Sequence, residues 1–265
     1  MRSFTCSKLL ARVRRLASAL GPMPVLLALV TVFTVAFSAA FLATPGGIGG
    51  MRAWAAPSSD VRLEAEKPKK RLIIGLDLSQ SNPLIEDRAF AQKLAERVSK
   101  MIAELGFASE VHVRTFGSYE TSANNFHYDA QLSIRQRSDT VGDEVAKLIA
   151  NTPALVEKGV WRAQGKTNII AFLDNASNAF TCAGMPTTIV LLSDGIEDSE
   201  YANLSQNDAS LPAPSDTPFK GCAELQILGL GQGQESPEKT KHLRSEWSRW
   251  ARAAGFGSFV GLNDW

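Results

Sequence analysis

Two stretches, residues 71–79 (Arg-Leu-Ile-Ile-Gly-Leu-Asp-Leu-Ser) and Thr187–Leu192, are almost unbroken apolar runs of strand length. A strand of that kind has no wet face, so its sheet must be covered on both sides. The rest of the chain supplies the cover. After Asn82-Pro83, the residues Leu84, Ala91, Leu94, Val98, Met101, Ile102 and Leu105 recur at helical spacing, and Gly106 closes the segment. Helices are also expected over residues 139–150 (Val141, Val145, Leu148 and Ile149 on one face), 168–180 and 237–254 (Leu243, Trp247, Trp250, Ala251 and Ala254 inward). Further strands are expected at 110–116, 223–230 and 256–262, with a weaker, edge signal at 126–134. Strands alternating with helices predict an α/β fold, a doubly wound, mostly parallel sheet flanked by helices.

The first seventy residues read differently. Residues 23–43 form a 21-residue run without a charge, rich in Val, Leu, Phe and Ala. At about 1.5 Å per residue a helix of that length spans a hydrocarbon core of roughly 30 Å. Arg2, Lys8, Arg12, Arg14 and Arg15 precede it with no acid among them. The expected organisation is a basic cytoplasmic tail (1–22), a transmembrane signal anchor (23–43), a Gly/Pro-rich linker (44–70) and a folded domain (71–265) outside the cytoplasm. A bacterial inner-membrane protein facing the periplasm fits this pattern. So does a eukaryotic type II protein, and secretion after cleavage near Ala55, behind Ala53-Trp54-Ala55, is the other reading of the leader. The whole chain carries 28 basic and 27 acidic residues, a net charge of +1. Without its tail the balance is 23 basic against 27 acidic, which argues against nucleic acid as a partner.

Chemistry gathers where the two buried strands end. The first ends in Asp77-Leu78-Ser79-Gln80-Ser81, with the oxygen-bearing side chains two apart, and the second in Ser193-Asp194-Gly195. In a doubly wound sheet ligands bind beyond the carboxyl ends of the strands. Carboxylates and hydroxyls together are hard oxygen ligands, suited to Mg²⁺, Mn²⁺ or Ca²⁺ rather than zinc.

Asp77-x-Ser79-x-Ser81 resembles the metal-ion-dependent adhesion site of von Willebrand factor A (VWA) domains, a Rossmann-like fold. Thr167, in Gly165-Lys166-Thr167-Asn168 ahead of a helix, and Asp194 match the two remaining positions of that motif. The resemblance covers about residues 71–264. It implies that Ser79 and Ser81 ligate the metal through their hydroxyls. It implies that Thr167 does so directly or through water, and that Asp77 and Asp194 hold metal-bound waters. Mg²⁺ is the expected cofactor, with Mn²⁺ or Ca²⁺ as alternatives. The implied partner is a protein that offers a carboxylate as the last ligand. The family's last helix has no counterpart before Trp265, so no relay through it is expected. In the family topology the strands that follow Cys182 and Cys222 are parallel neighbours, so the resemblance also implies a Cys182–Cys222 disulfide at the edge opposite the metal, on the oxidising side of the membrane.

Other signals are weaker. Gly159 and Gly165-Lys166-Thr167 are separated by five residues where a phosphate loop needs four, so no nucleotide is expected. Gly229-Leu-Gly231-Gln-Gly233 reads as a turn. His112, His127 and His242 lie on separate elements and read as structural or solvated. The acidic segment 196–221 reads equally as a partner-selecting loop or a solvated insertion. Three functional readings stand: a non-enzymatic binding module, a structural envelope subunit whose metal stabilises the fold, and a metal-dependent hydrolase, for which no general base is apparent.

Overall fold

A computed structural model of the chain describes residues 67–118, 125–206, 208–234 and 236–265. The tail, the apolar run and nearly all of the linker lie outside the described residues, as do the boundaries expected there. Among the described residues, no helix is long and apolar enough to cross a membrane.

Six strands form one sheet in the order β3-β2-β1-β4-β5-β6. They are β1 (Arg71–Asp77), β2 (Glu110–Phe116), β3 (His127–Gln131), β4 (Thr187–Leu192), β5 (Glu224–Leu228) and β6 (Ser258–Leu262). All neighbours pair in parallel except β2 and β3, which are antiparallel at one edge. The helices are α1 (Arg88–Ala103), α2 (Ser138–Ala150), α3 (Thr152–Glu157), α4 (Ile169–Ala179) and α5 (Pro237–Ala253).

The two apolar runs are the central pair β1–β4, and their side chains divide between two cores. Leu72, Ile74 and Leu76 of β1 and Val190 and Leu192 of β4 face α1 and α2, with Ala91, Leu94, Val98, Val141, Val145 and Ile149 against them. Ile73, Ile189 and Leu191 face the opposite layer, with Ile169, Leu173, Leu243, Trp247 and Trp250 from α4 and α5. β2 shows why its sequence alternates instead. Val111 and Val113 enter the first core, whereas His112 and Arg114 point the other way and bond Asp129 on the edge strand.

The structure corrects the sequence reading in detail. The first helical stripe is not one helix. Asn82 caps a single 3-10 turn, Pro83–Ile85, and Asp87 then opens α1 by accepting from the N–H groups of Ala89 (2.8 Å) and Phe90 (3.0 Å). The short α3 was not anticipated at all. Segment 196–221 is not a solvated insertion: Leu204, Leu211 and Phe219 are buried in the second core. Glu246 and Arg249 of α5 hold Leu211 by its backbone N–H (2.8 Å) and carbonyl (2.7 Å). Cys182 and Cys222 are disulfide-bonded, with Cα atoms 5.0 Å apart. They precede the parallel neighbours β4 and β5, at the amino-terminal edge of the sheet.

Candidate functional site

Three chain segments meet at the carboxyl-terminal edge, and backbone bonds hold them together. Gln164 N–H donates to Leu78 O at 2.9 Å, and Gln80 N–H donates to Gln164 O at 2.8 Å, so the loop before α4 pairs with the chain leaving β1. On its other side that loop pairs with the chain leaving β4: Thr167 N–H donates to Asp198 O at 3.2 Å and Asp198 N–H to Thr167 O at 3.0 Å. Asn82 ties β1 directly to β4, its amide donating to Asp77 O (2.8 Å) and Leu192 O (2.9 Å). The residues named from sequence, Asp77, Ser79, Ser81, Thr167 and Asp194, therefore lie on segments stitched side by side.

Their environments differ. Asp77, Ser79, Thr167 and Asp194 are buried, whereas Ser81 and Gln80 are exposed and leave the site open to solvent. Asp77 accepts from Ser79 N–H (2.9 Å) at one oxygen and from the Ser193 hydroxyl (2.6 Å) at the other. The hydroxyl oxygens of Ser79 and Ser81 are 3.4 Å apart. Asp194 Oδ1 accepts from Ile196 N–H at 3.0 Å. Its Oδ2 is buried and accepts no hydrogen bond among the described residues, although the Ser81 hydroxyl is near enough to ease ionisation. Gly195 shapes the turn behind Asp194: its φ is +76°, and a Cβ there would stand 2.4 Å from Leu230 Cδ1. Trp247 fixes the same turn from α5 through its indole N–H to Gly195 O at 2.7 Å.

The electrostatics are unusual for a finished site. Burial raises the pKa of Asp77, and the neighbouring charge of Asp194 raises it further, against the pull of its hydrogen bonds. Burial likewise raises Asp194. Among the described residues no lysine or arginine pairs with either carboxylate. A buried carboxylate oxygen without a donor is costly. Asp194 Oδ2 is in that position, and two buried carboxylates beside hydroxyls suit a hard divalent cation, whose charge would offset the repulsion between them. The donor set therefore fits Mg²⁺. No group of three or more His, Cys, Asp and Glu side chains placed to hold a metal occurs among the described residues, so any site here depends on hydroxyl oxygens as well.

Sequence reasoning passed over Glu197. In sequence it is one acid among several in segment 196–221, equally partner-facing or solvated, yet it is fully buried. Its Oε2 accepts from Ile169 N–H (2.8 Å) and Ile170 N–H (3.2 Å) at the start of α4, and its Oε1 from the Ser199 hydroxyl. Burial pushes its carboxyl up to about 7. Ser193 and Asn82 were legible only as strand-end and helix-start residues. The glycines of 229–233 form the expected turn, all three with positive φ. The histidines bond, separately, Asp129, Asn125 and the carbonyl of Ala209.

Comparison with known proteins gives distant likenesses. No family model matches the chain, and no curated protein does. Among solved structures, a crystal form of the pilus adhesin SpaC from Lactobacillus rhamnosus GG is 14% identical, with a TM-score of 0.42 over 76% of this chain and 29% of that one. The ArnB paralog VWA2 from Sulfolobus acidocaldarius is 14% identical, with a TM-score of 0.40 over 74% of this chain and 42% of that one. The human COPII-coat protein Sec24c is 12% identical, with a TM-score of 0.33 over 76% of this chain and 30% of that one. The chain thus spans less than half the length of each. At these scores the topology and the site geometry of this chain carry the reading that follows.

Proposed function

We propose that this chain is a membrane-tethered VWA-type domain that holds a divalent cation at the carboxyl-terminal edge of its sheet and binds a partner protein there. The observation that supports it is that the Ser79 and Ser81 hydroxyls lie together, Ser81 and Asp77 lie near Asp194, and Asp194 has a buried carboxylate oxygen that accepts no hydrogen bond among the described residues. Ser79, Ser81 and Thr167 would hold the cation, with Asp77 and Asp194 as the charges behind it. A bound Mg²⁺ would supply an electrophilic centre that seeks an anionic oxygen from outside. Because Ser81 and Gln80 are exposed, an external carboxylate can approach from solvent. The function is recognition rather than catalysis.

Crosslinking in intact cells, wild type against Asp194→Ala, tests the reading. The expected result is one or more protein adducts that disappear in the variant and on addition of a chelator. Adducts that persist unchanged in both would overturn metal-dependent capture.

A further inference from the structure

We infer that Glu197 is a positioning residue of the cation site: its buried carboxylate pins the start of α4 and so fixes Thr167 in register with Asp194. The inference rests on the cation reading above and goes beyond it, because Glu197 belongs to no part of the motif that the sequence displays.

Three observations carry it. Helix α4 begins without a side-chain cap of its own. Asn168, which stands at its N-cap position, turns its amide to Gly117 O at 2.7 Å instead. The first turn of a helix leaves N–H groups in need of acceptors, and a short local side chain is the usual supplier. Here the acceptor comes from a residue 27–28 positions further along the chain. Burying a carboxylate there is a costly way to cap a helix, unless the link between the two segments is itself required.

That link runs straight through the site. Glu197 lies three residues after Asp194, and the N–H groups it holds lie two and three residues after Thr167. The reciprocal bonds between Thr167 and Asp198 add a second clasp beside the first. The turn that carries Glu197 is braced in its own right: Leu204 N–H donates to Glu197 O at 2.8 Å, and Asp198 Oδ1 accepts from Asn203 (3.0 Å) and Lys166 (2.8 Å). Thr167 sits on a loop rather than a strand, so its hydroxyl is only as well placed as that loop. Metal ligands must be held to within about 0.5 Å. A carboxylate that grips the loop's exit and stands on the Asp194 turn sets the distance between the two.

The test is Mn²⁺ affinity of the full chain, read from the electron paramagnetic resonance signal of free Mn²⁺. Wild type is compared with Glu197→Ala, Glu197→Asp, Glu197→Gln and Asp194→Ala. Glu197→Gln keeps an acceptor oxygen for Ile169 and Ile170 and should bind within about threefold of wild type. Glu197→Asp keeps the charge but withdraws it from the helix start, and it and Glu197→Ala should lose roughly tenfold or more, the usual loss when a ligand's support is removed. Should the alanine variant fail to fold, the Asp–Gln pair decides. If affinity is unchanged in Glu197→Ala or Glu197→Asp while the melting temperature falls, Glu197 is only a helix cap and the inference is wrong. If Glu197→Gln loses as much as Glu197→Asp, charge rather than position is at work, and the inference is again wrong. A wild type that binds Mn²⁺ no better than Asp194→Ala instead brings down the cation reading, and this inference with it.

Discussion

At the amino-terminal end of β2, Glu110 faces Arg71 of β1 across 2.7 Å. Partial burial raises its carboxyl, but the Arg71 bond and charge outweigh that and hold it below the usual range. At the carboxyl-terminal end of the same sheet, Asp77 and Asp194 are more deeply buried, burial raises both carboxyls, the charge of Asp194 raises Asp77 further, and among the described residues no cationic side chain is bonded to either. The first edge is electrostatically closed and covalently stapled by Cys182–Cys222. The second is braced mechanically, by Asn82, Trp247 and Glu197, yet left electrically incomplete. Buried carboxylates without a cationic partner break the local rules of burial, and such breaks concentrate at functional sites.

The largest effect that sharpens this contrast lies at the closed edge. The bridge spans 40 residues of sequence. Replacing both cysteines with serine should lower the unfolding free energy by about 4 kcal/mol while leaving Mn²⁺ affinity unchanged. Thermal or denaturant unfolding of the purified chain beside a metal titration checks both halves. A loss of affinity along with stability would mean that the two edges are not independent.

A smaller effect belongs to the open edge. The Glu197 carboxyl is raised from an ordinary 4.5 to about 7 in the folded chain. The folded state therefore favours its protonated form. That contribution is complete below the unfolded value near 4.5 and is lost as pH rises through about 7. Measured with chelator present, the stability of wild type relative to Glu197→Gln should rise as pH falls from 8 to 5, by up to about 3 kcal/mol. A difference that stays flat with pH would show that Glu197 is not held as the contacts indicate.

Much of this was legible in advance, and the omissions have physical causes. The runs at β1 and β4 declared a two-sided core because each successive side chain must be apolar when both faces are covered. The candidate site residues could be named because the motif they resemble gathers them at strand ends and at a helix start, and the fold brings their segments side by side. The break at Asp87 was not, since Leu84 and Ala91 keep helical spacing across it and only the capping bonds reveal the interruption. Helix α3 has just six residues, too few to show a period. Glu197 was hidden among Asp198, Glu200 and Asp208. Nothing in the sequence separates an acid that caps a distant helix from one that faces water. The strap of 196–221 onto α5 depends on Glu246 and Arg249, 35 and 38 residues from Leu211, a pairing only the fold can make.

The central claim is that Asp194 is an unfinished charge. Its amide counterpart tests this most directly, because Asp194→Asn preserves the acceptor for Ile196 and removes only the charge and the unpaired oxygen. Mn²⁺ titration and metal-free unfolding are measured on wild type and on this variant. The account predicts that wild type binds, that Asp194→Asn loses about 10–100-fold in affinity, and that the variant is more stable without metal by about 1–3 kcal/mol. Equal affinity in the two proteins, or a metal-free variant less stable than wild type, would contradict it.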